Sequence, residues 1–480
     1  MARIYIDLNT SIMWRRPPVG IVRVEREFAR HCFMHEPGTV FCEVGANGQY
    51  RAIEPARVRA ILDDSWCRPA PSVAQTEPAP FLVPAAPPPP VRGRIQRMFD
   101  WLAVWGPKVV PAAAYPLLRD IGRVLVDHHA AFVRHRAARR AIREAAAIAP
   151  AVVTSAPAPA EAPAKTDPLI APGAHDLFFS IGAQWHHGAI HAYRLKQATG
   201  VRVIEAGYDT IPIDFPEYSG TPKQVFAEFF TCIAHTADLV FAISDTTRTD
   251  LGVFYENAGL LRRPPIHTVH LATPDVQRAT PAEELSGDER EILARLQRSG
   301  DYILYVSTFE ARKNHRLLLQ VWRELHRARG ADCPLLVLVG MFGWGVNDLW
   351  TELQATDVWA AGKVVLLHHV SDALLGHLYR GCAYTVFPSI YEGWGLAATE
   401  SLAYGKLAIV SDIPALREAT QGLCPAIHPL DYPGWLAAIT HYLDDDEARA
   451  VAQAHIRSSY APRYWSDFSV DLIAAARTLQ

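Results

Sequence analysis

Residues 384–412 read YTVFPSIYEGWGLAATESLAYGKLAIVSD. An apolar run from Tyr384 to Phe387 stops at Pro388, and a loop carrying Glu392, Gly393, Trp394 and Gly395 follows. A helical stretch then spans about Gly395 to Gly405, and a second apolar run begins at Leu407. Short apolar runs that alternate with helices are parallel strands buried on both faces. Ligands of such sheets bind beyond the carboxyl ends of the strands, where loops enter helices. Glu392 is therefore expected in a strand-to-helix loop, with Glu400 about one and a half turns into the helix. Gly393 and Gly395 let the backbone approach a ligand, and the helix start offers unpaired N–H groups suited to a phosphate. A carboxylate would repel a phosphate, so the two glutamates are expected to accept hydrogen bonds from neutral hydroxyls. A nucleotide sugar, with its diphosphate between ribose and hexose, meets both demands.

The alternation extends outward from this stretch. Strands are expected at YILYVS, PLLVLVG and KVVLLHHV, with a helix over NHRLLLQVWRELHRARG. Earlier, RIYIDL, TVFCEV, DLFFSIGAQW and the runs at 201–206 and 239–244 repeat the pattern, with a helix from Val22 to about Phe33. The fold class expected is α/β, two doubly wound domains in tandem. The N-terminal domain is set at 1–275, the C-terminal one at 276–460, and 461–480 as a helix returning to the N-terminal domain. Residues 69–90 are rich in proline and alanine and cannot pair in a sheet interior, so 68–172 reads as an insertion.

The loop YVSTFEARKNHRLLL places Glu310, Arg312, Lys313 and Asn314 at a second strand end. Arg312 and Lys313 read as a diphosphate clamp, one through a planar fork and one as a point charge. As loop groups they are expected to carry little stability.

The bulk numbers exclude other classes. In 480 residues the net charge is −3, which leaves no positive field for nucleic acid as the main partner. Seven scattered cysteines without a C-x-x-C spacing indicate reduced thiols in a cytoplasmic protein. No apolar stretch reaches transmembrane length, and the N-terminus reads as a strand, not a signal peptide. Residues 91–145 carry arginines beside Phe99, Trp101 and Trp105. That stretch reads either as an interfacial anchor to the inner-membrane surface or as a helical hairpin packed on the protein. No D-x-D stands at a strand end, and the pairs His186-His187 and His368-His369 point to opposite faces of a strand, so no metal site is expected.

From about 300 to 420 the chain resembles the retaining glycosyltransferases of family 4, which have the GT-B fold of two facing Rossmann-like domains. The resemblance rests on the E-x7-E pair Glu392 and Glu400, on STFEARKN, on HHVSDALLGHLYRGCAYTVFPS and on SDIPALREA. It implies that Glu392 contacts donor-sugar hydroxyls, that Glu400 contacts the ribose, and that Arg312 and Lys313 hold the diphosphate. Val370 and Asp372 would border the nucleobase, while the backbone at Gly395, Leu396 and Ala397 would close around phosphates and sugar, beside the donor-binding Gly393. The N-terminal half is similar more loosely. RRPPVGIVRVEREFARH resembles the family's first loop, with Gly20 facing the diphosphate. GYDTIPIDFPEY resembles a loop that usually begins His-Asp; Asp209 is kept as a catalytic position and Tyr208 replaces the histidine near the sugar's far end. A phenol there is expected to favour a 6-deoxyhexose or pentose donor on a GDP, TDP or UDP carrier, unless it bonds a 6-hydroxyl directly. The activity implied is configuration-retaining, metal-independent and cofactor-free transfer from the nucleotide sugar to a saccharide or lipid-linked saccharide, in bacterial surface polysaccharide synthesis. A glucan synthase-like enzyme, or a silent nucleotide- or carbohydrate-binding protein, is the alternative.

Overall fold

The computed structural model describes residues 2–15, 18–45, 47–63, 66, 168–185, 188–273, 276, 285–343 and 346–479. The basic stretch 91–145 and the pair His186-His187 lie outside these residues.

The first lobe carries strands β1 (Ile4–Asp7), β2 (Val40–Val44), β3 (Tyr50–Ala52), β4 (Leu177–Ser180), β5 (Arg202–Gly207), β6 (Leu239–Ala242) and β7 (Ile266–Thr268). Its helices are α1 (Asn9–Met13), α2 (Gly20–His35), α3 (Pro55–Leu62), α4 (Gly188–Thr199), α5 (Ile211–Asp214), α6 (Lys223–Thr236) and α7 (Asp245–Asn257). The sheet order is β3-β2-β1-β4-β5-β6-β7, parallel except for the β2–β3 edge pair. Residues 168–170, inside the span read as inserted, continue that edge: Ala52 N donates to Pro168 O and Ile170 N to Tyr50 O.

The second lobe holds β8 (Tyr302–Val306), β9 (Leu335–Val339), β10 (Val364–Leu367), β11 (Tyr384–Phe387), β12 (Ala408–Ser411) and β13 (Ala426–Ile427). These pair in parallel in the order β10-β9-β8-β11-β12-β13. Its helices are α8 (Gly287–Arg298), α9 (His315–Arg329), α10 (Val346–Gln354), α11 (Asp357–Ala360), α12 (Asp372–Gly381), α13 (Leu396–Ala403), α14 (Pro414–Ala419), α15 (Tyr432–Asp444) and α16 (Asp446–Ser459). In α9 the buried face, Leu317, Leu318, Val321, Trp322 and Leu325, follows the helical repeat, while Arg316, Arg323 and Arg327 line the other side. The last helix, α17 (Trp465–Arg477), crosses back to the first lobe. Its Phe468, Leu472 and Ala476 join the core of Val24 and Phe28 from α2, and Arg477 donates to Glu36 at 2.8 Å.

Strand order reverses between β8 and β11 in one sheet and between β1 and β4 in the other. Loops after these four strands diverge in opposite directions, which opens a crevice at each switch point. Among the described residues no helix is long and apolar enough to cross a membrane.

Candidate functional site

The second-lobe switch point is built from the loops after β8 and β11. Arg312 Nη1 donates to Glu392 Oε2 at 2.9 Å and to the Tyr391 carbonyl at 2.6 Å, while its Nη2 reaches Glu310 Oε1 at 2.8 Å. Lys313 Nζ donates to the other Glu392 oxygen at 2.5 Å. The loop holding the cations is rigid for local reasons. Asn314 takes the left-handed conformation at φ 57° and its amide donates to the carbonyls of Pro388 and Pro429. Tyr305 OH donates to the Lys313 carbonyl, and Ile390 N to that of Arg312, which ties the two loops together. Burial would raise the Glu392 carboxyl, but Lys313 and Arg312 hold it down at about 2. Burial, with the Arg312 charge beside it, lowers Lys313.

This geometry corrects the expectation that the two cations carry little stability. Their side chains are only 14% and 16% exposed, and both are spent on a Glu392 that is 11% exposed. Removing either leaves a buried charge short of a partner.

Glu400 lies on α13, with Tyr379 OH donating to its Oε2 at 3.2 Å. Its Oε1 accepts from Arg23 Nη1 at 3.1 Å, and Arg23 Nη2 reaches Asp372 at 3.3 Å. Arg23 belongs to the first turn of α2 in the opposite lobe, so this pairing spans the crevice. Burial pushes Glu400 up, against the pull of Arg23. Sequence reasoning passed over Arg23; the signal available was its place three residues after Gly20, in the stretch that resembles the family's first loop.

Across the crevice, Asp209 feels Arg312, Glu392 and Lys313 electrostatically, and burial raises its carboxyl. Asp209 thus joins Arg312, Lys313 and Glu392 in one cluster. Tyr208 turns elsewhere: its hydroxyl donates to the Ile181 carbonyl and its ring packs edge-on against Phe241. Gly393 carries a constraint of its own between the lobes. A Cβ there would stand 2.3 Å from the Tyr208 carbonyl oxygen, so the glycine serves close contact between the lobes. Gly395, at φ +119°, starts α13 in a conformation that L side chains rarely adopt. Leu396 and Ala397 follow in its first turn, half-buried, and Val370 sits half-buried before α12.

The first-lobe switch point holds carboxyls that sequence reasoning missed. Asp7 closes β1 and accepts from Tyr50 OH and Gln184 Nε2, each at 3.1 Å. Burial raises Asp7 to about 6. Burial and then the Asp7 charge raise Glu25 of α2 to about 8, while its Oε1 accepts from Ser11 N at 2.7 Å. Alternating apolar strands and an amphipathic helix give no hint that acids would be drawn inside.

Further interlobe contacts surround the crevice. Trp394 stacks on His270 at 5.2 Å, and Tyr391 OH donates to Asp250. Glu418 accepts from the α7 N-terminal amides of Asp245 and Thr246 at 2.6 and 3.3 Å and bonds His270 Nε2 at 2.7 Å. Asp245, His270 and Glu418 form the one cluster among the described residues whose spacing could hold a metal ion, and it lies in this interlobe seam. His368 is buried and its Nδ1 bonds the Gly340 carbonyl.

Residues 290–450 match the family described as glycosyl transferases group 1. The chain is 29% identical over 231 residues to the serotype-specific mannosyltransferase WbdA of Escherichia coli, covering 47% of this chain and 28% of WbdA. It is also 29% identical over 248 residues to the O-antigen chain mannosyltransferase B of Escherichia coli, covering 51% of this chain and 61% of that protein. The chain thus spans less than two thirds of the length of these curated relatives. The structure of Anabaena HepE in complex with UDP aligns over 100% of both chains with a TM-score of 0.56 and 11% identity. That likeness is one of fold. With two parallel Rossmann-like sheets, the fold is GT-B.

Proposed function

We propose that this chain is a configuration-retaining glycosyltransferase of family 4. It moves a hexose from a nucleoside-diphosphate sugar to a saccharide or lipid-linked saccharide in surface polysaccharide synthesis. The observation that carries this reading is the convergence of Arg312, Lys313 and Glu392 beyond β8 and β11, with Asp209 facing them from the other lobe. Two cations there can stabilise the charge that builds on a departing diphosphate, which is worth most in a site that excludes water. Glu392, held ionised, accepts hydrogen bonds from sugar hydroxyls, and Glu400 takes those of the ribose. The departing diphosphate itself takes the acceptor's proton on the face from which the acceptor attacks, so configuration is kept without a side-chain nucleophile. Arg312 and Lys313 do the work that a divalent metal does elsewhere, so transfer is expected to be metal-independent.

Mannose is the leading donor sugar, because the sequence relatives are named mannosyltransferases. A 6-deoxyhexose is the second reading, favoured by Tyr208, whose hydroxyl spends its proton on Ile181 and has none left to donate to a 6-hydroxyl. The test is turnover with GDP-mannose, its 6-deoxy counterpart, UDP-glucose and a TDP-sugar, the product's anomeric configuration being read by NMR and EDTA included in parallel. Transfer with retention in EDTA is expected. Binding without turnover across the panel would leave a silent protein, and an inverted product would reject the mechanism.

A further inference from the structure

We infer that Arg23 is a donor-positioning residue that exchanges partners: it leaves Glu400 as the ribose arrives and carries its charge to the diphosphate. The inference rests on the reading of Glu400 as the ribose acceptor.

The first argument concerns room on Glu400. Both of its oxygens already have donors, Tyr379 OH on one and Arg23 on the other. Tyr379 is 1% exposed and walled into the second lobe, so it cannot step aside. Arg23 can, since its side chain comes from the opposite lobe and retains 13% exposure. Each carboxylate oxygen can accept a second bond, but a ribose that brings its hydroxyls to Glu400 Oε1 crowds the guanidinium standing on that oxygen and competes with it for position there. The Asp372 contact holds little against this exchange, because that carboxylate is 72% exposed and screened by water.

The second argument concerns charge. Arg312 and Lys313 stand in direct contact with Glu310 and Glu392, two cations against two carboxylates. A diphosphate brought to that cluster meets charge already balanced, which is a poor trap for a polyanion. Arg23 supplies the missing cation. Its Nε donates to the Pro18 carbonyl at 3.2 Å, so a guanidinium released from Glu400 keeps an anchor beside Gly20, where α2 begins. Released there, it lies against the helix start that the same reading assigns to the diphosphate, and its planar fork suits phosphate oxygens. One side chain thus blocks the ribose acceptor until a nucleotide comes, then bonds that nucleotide across the crevice. This coupling selects the complete nucleoside diphosphate over its fragments.

The experiment is calorimetric titration of the full chain with a nucleoside and with its diphosphate, in the wild type, Arg23→Ala and Arg23→Lys. GDP and guanosine are used first, then UDP with uridine and TDP with thymidine. Arg23→Ala should bind the nucleoside about three- to tenfold more tightly, because the competing side chain is gone. It should bind the diphosphate about tenfold or more weakly, because a charge-assisted contact is lost. Arg23→Lys keeps the charge and should hold the diphosphate within about threefold of wild type. Folding of each variant is checked by its thermal transition, and Arg23→Gln, which keeps much of the bulk and loses the charge, carries the same diphosphate expectation if the alanine variant does not fold. Nucleoside and diphosphate affinities that move in the same direction in Arg23→Ala, or a diphosphate affinity lost equally in Arg23→Lys, would overturn the exchange. A wild type that binds none of the three diphosphates would instead reject the nucleotide-sugar reading beneath it.

Discussion

At the scale of single residues, the cation cluster sets stability and chemistry together. Arg312 bonds Glu392, Glu310 and a backbone carbonyl, so Arg312→Ala takes the ion-pair partner from Glu310 and leaves Glu392 with Lys313 alone, both carboxylates being about one-tenth exposed. Loss of one partner from such a buried network costs about 3–5 kcal/mol. Urea unfolding should register that loss while transfer falls by about tenfold or more, from the missing charge-assisted contact to the diphosphate. Unchanged unfolding with lost turnover would mean that the network carries no stability. Tyr208 lends itself to a cleaner test. Its hydroxyl donates to the Ile181 carbonyl, so Tyr208→Phe should cost about 1 kcal/mol of stability. The ratio of rates for GDP-mannose and its 6-deoxy counterpart should stay unchanged, because that hydroxyl's proton is already spent on Ile181; a shifted ratio in competition would show that the hydroxyl reads the donor.

Among the elements, β1 and α2 bring buried acids to the first-lobe switch point. Glu25 sits at about 8 in the folded chain against an ordinary 4.5, chiefly through burial. Between those values the folded state keeps a proton that the unfolded chain has released, so stability falls as pH rises from about 4.5 towards 8. Asp7, raised to about 6 from 3.8, adds to the same slope in its lower half. The depressed Glu392 acts in the opposite sense. Its contribution is present above about 4.5 and is lost only as pH falls towards about 2, outside this window. Glu25→Gln, which cannot titrate, should therefore flatten the decline in unfolding midpoint between pH 5 and 8. A Glu25→Gln profile parallel to wild type would show that the carboxyl does not titrate there.

The described residues form two lobes in contact along one seam. The segment Tyr391–Leu396 belongs to the second lobe, yet Trp394 and Leu396 pack into the first lobe's core. Gly393 sits where the two backbones approach closely: a Cβ there would stand 2.3 Å from the Tyr208 carbonyl oxygen and 3.1 Å from Asp209 Cβ. Because the first obstacle is backbone, no rotamer change relieves it. Gly393→Ala should push the lobes apart, cost about 1–3 kcal/mol and separate Asp209 from Arg312. An increased radius of gyration in solution scattering and turnover reduced by about tenfold or more are expected, since misplacement by about 1 Å is that costly to a positioned reaction. Wild-type scattering and kinetics in this variant would show that the seam tolerates a methyl group.

Local pattern determined the alternating strands, the doubly wound class and the strand ends at which Glu392, Arg312 and Lys313 stand. Each of these depends on periodicity and on loop position along one stretch of chain. The edge strand Tyr50–Ala52 escaped it, being three residues long and paired antiparallel to β2 with Leu169 bridging its far side. Which charges meet was also beyond it. Arg23 and Glu400 are separated by 377 positions, and Glu392 and Arg312 by 80. Burial likewise turned Glu25 and Asp7 from ordinary acids into raised ones, and packing set the Tyr208 hydroxyl on the Ile181 carbonyl at the end of β4. Tertiary structure alone decided these points, because charge pairing and desolvation depend on distance in space, and the packing of two lobes against each other sets that distance.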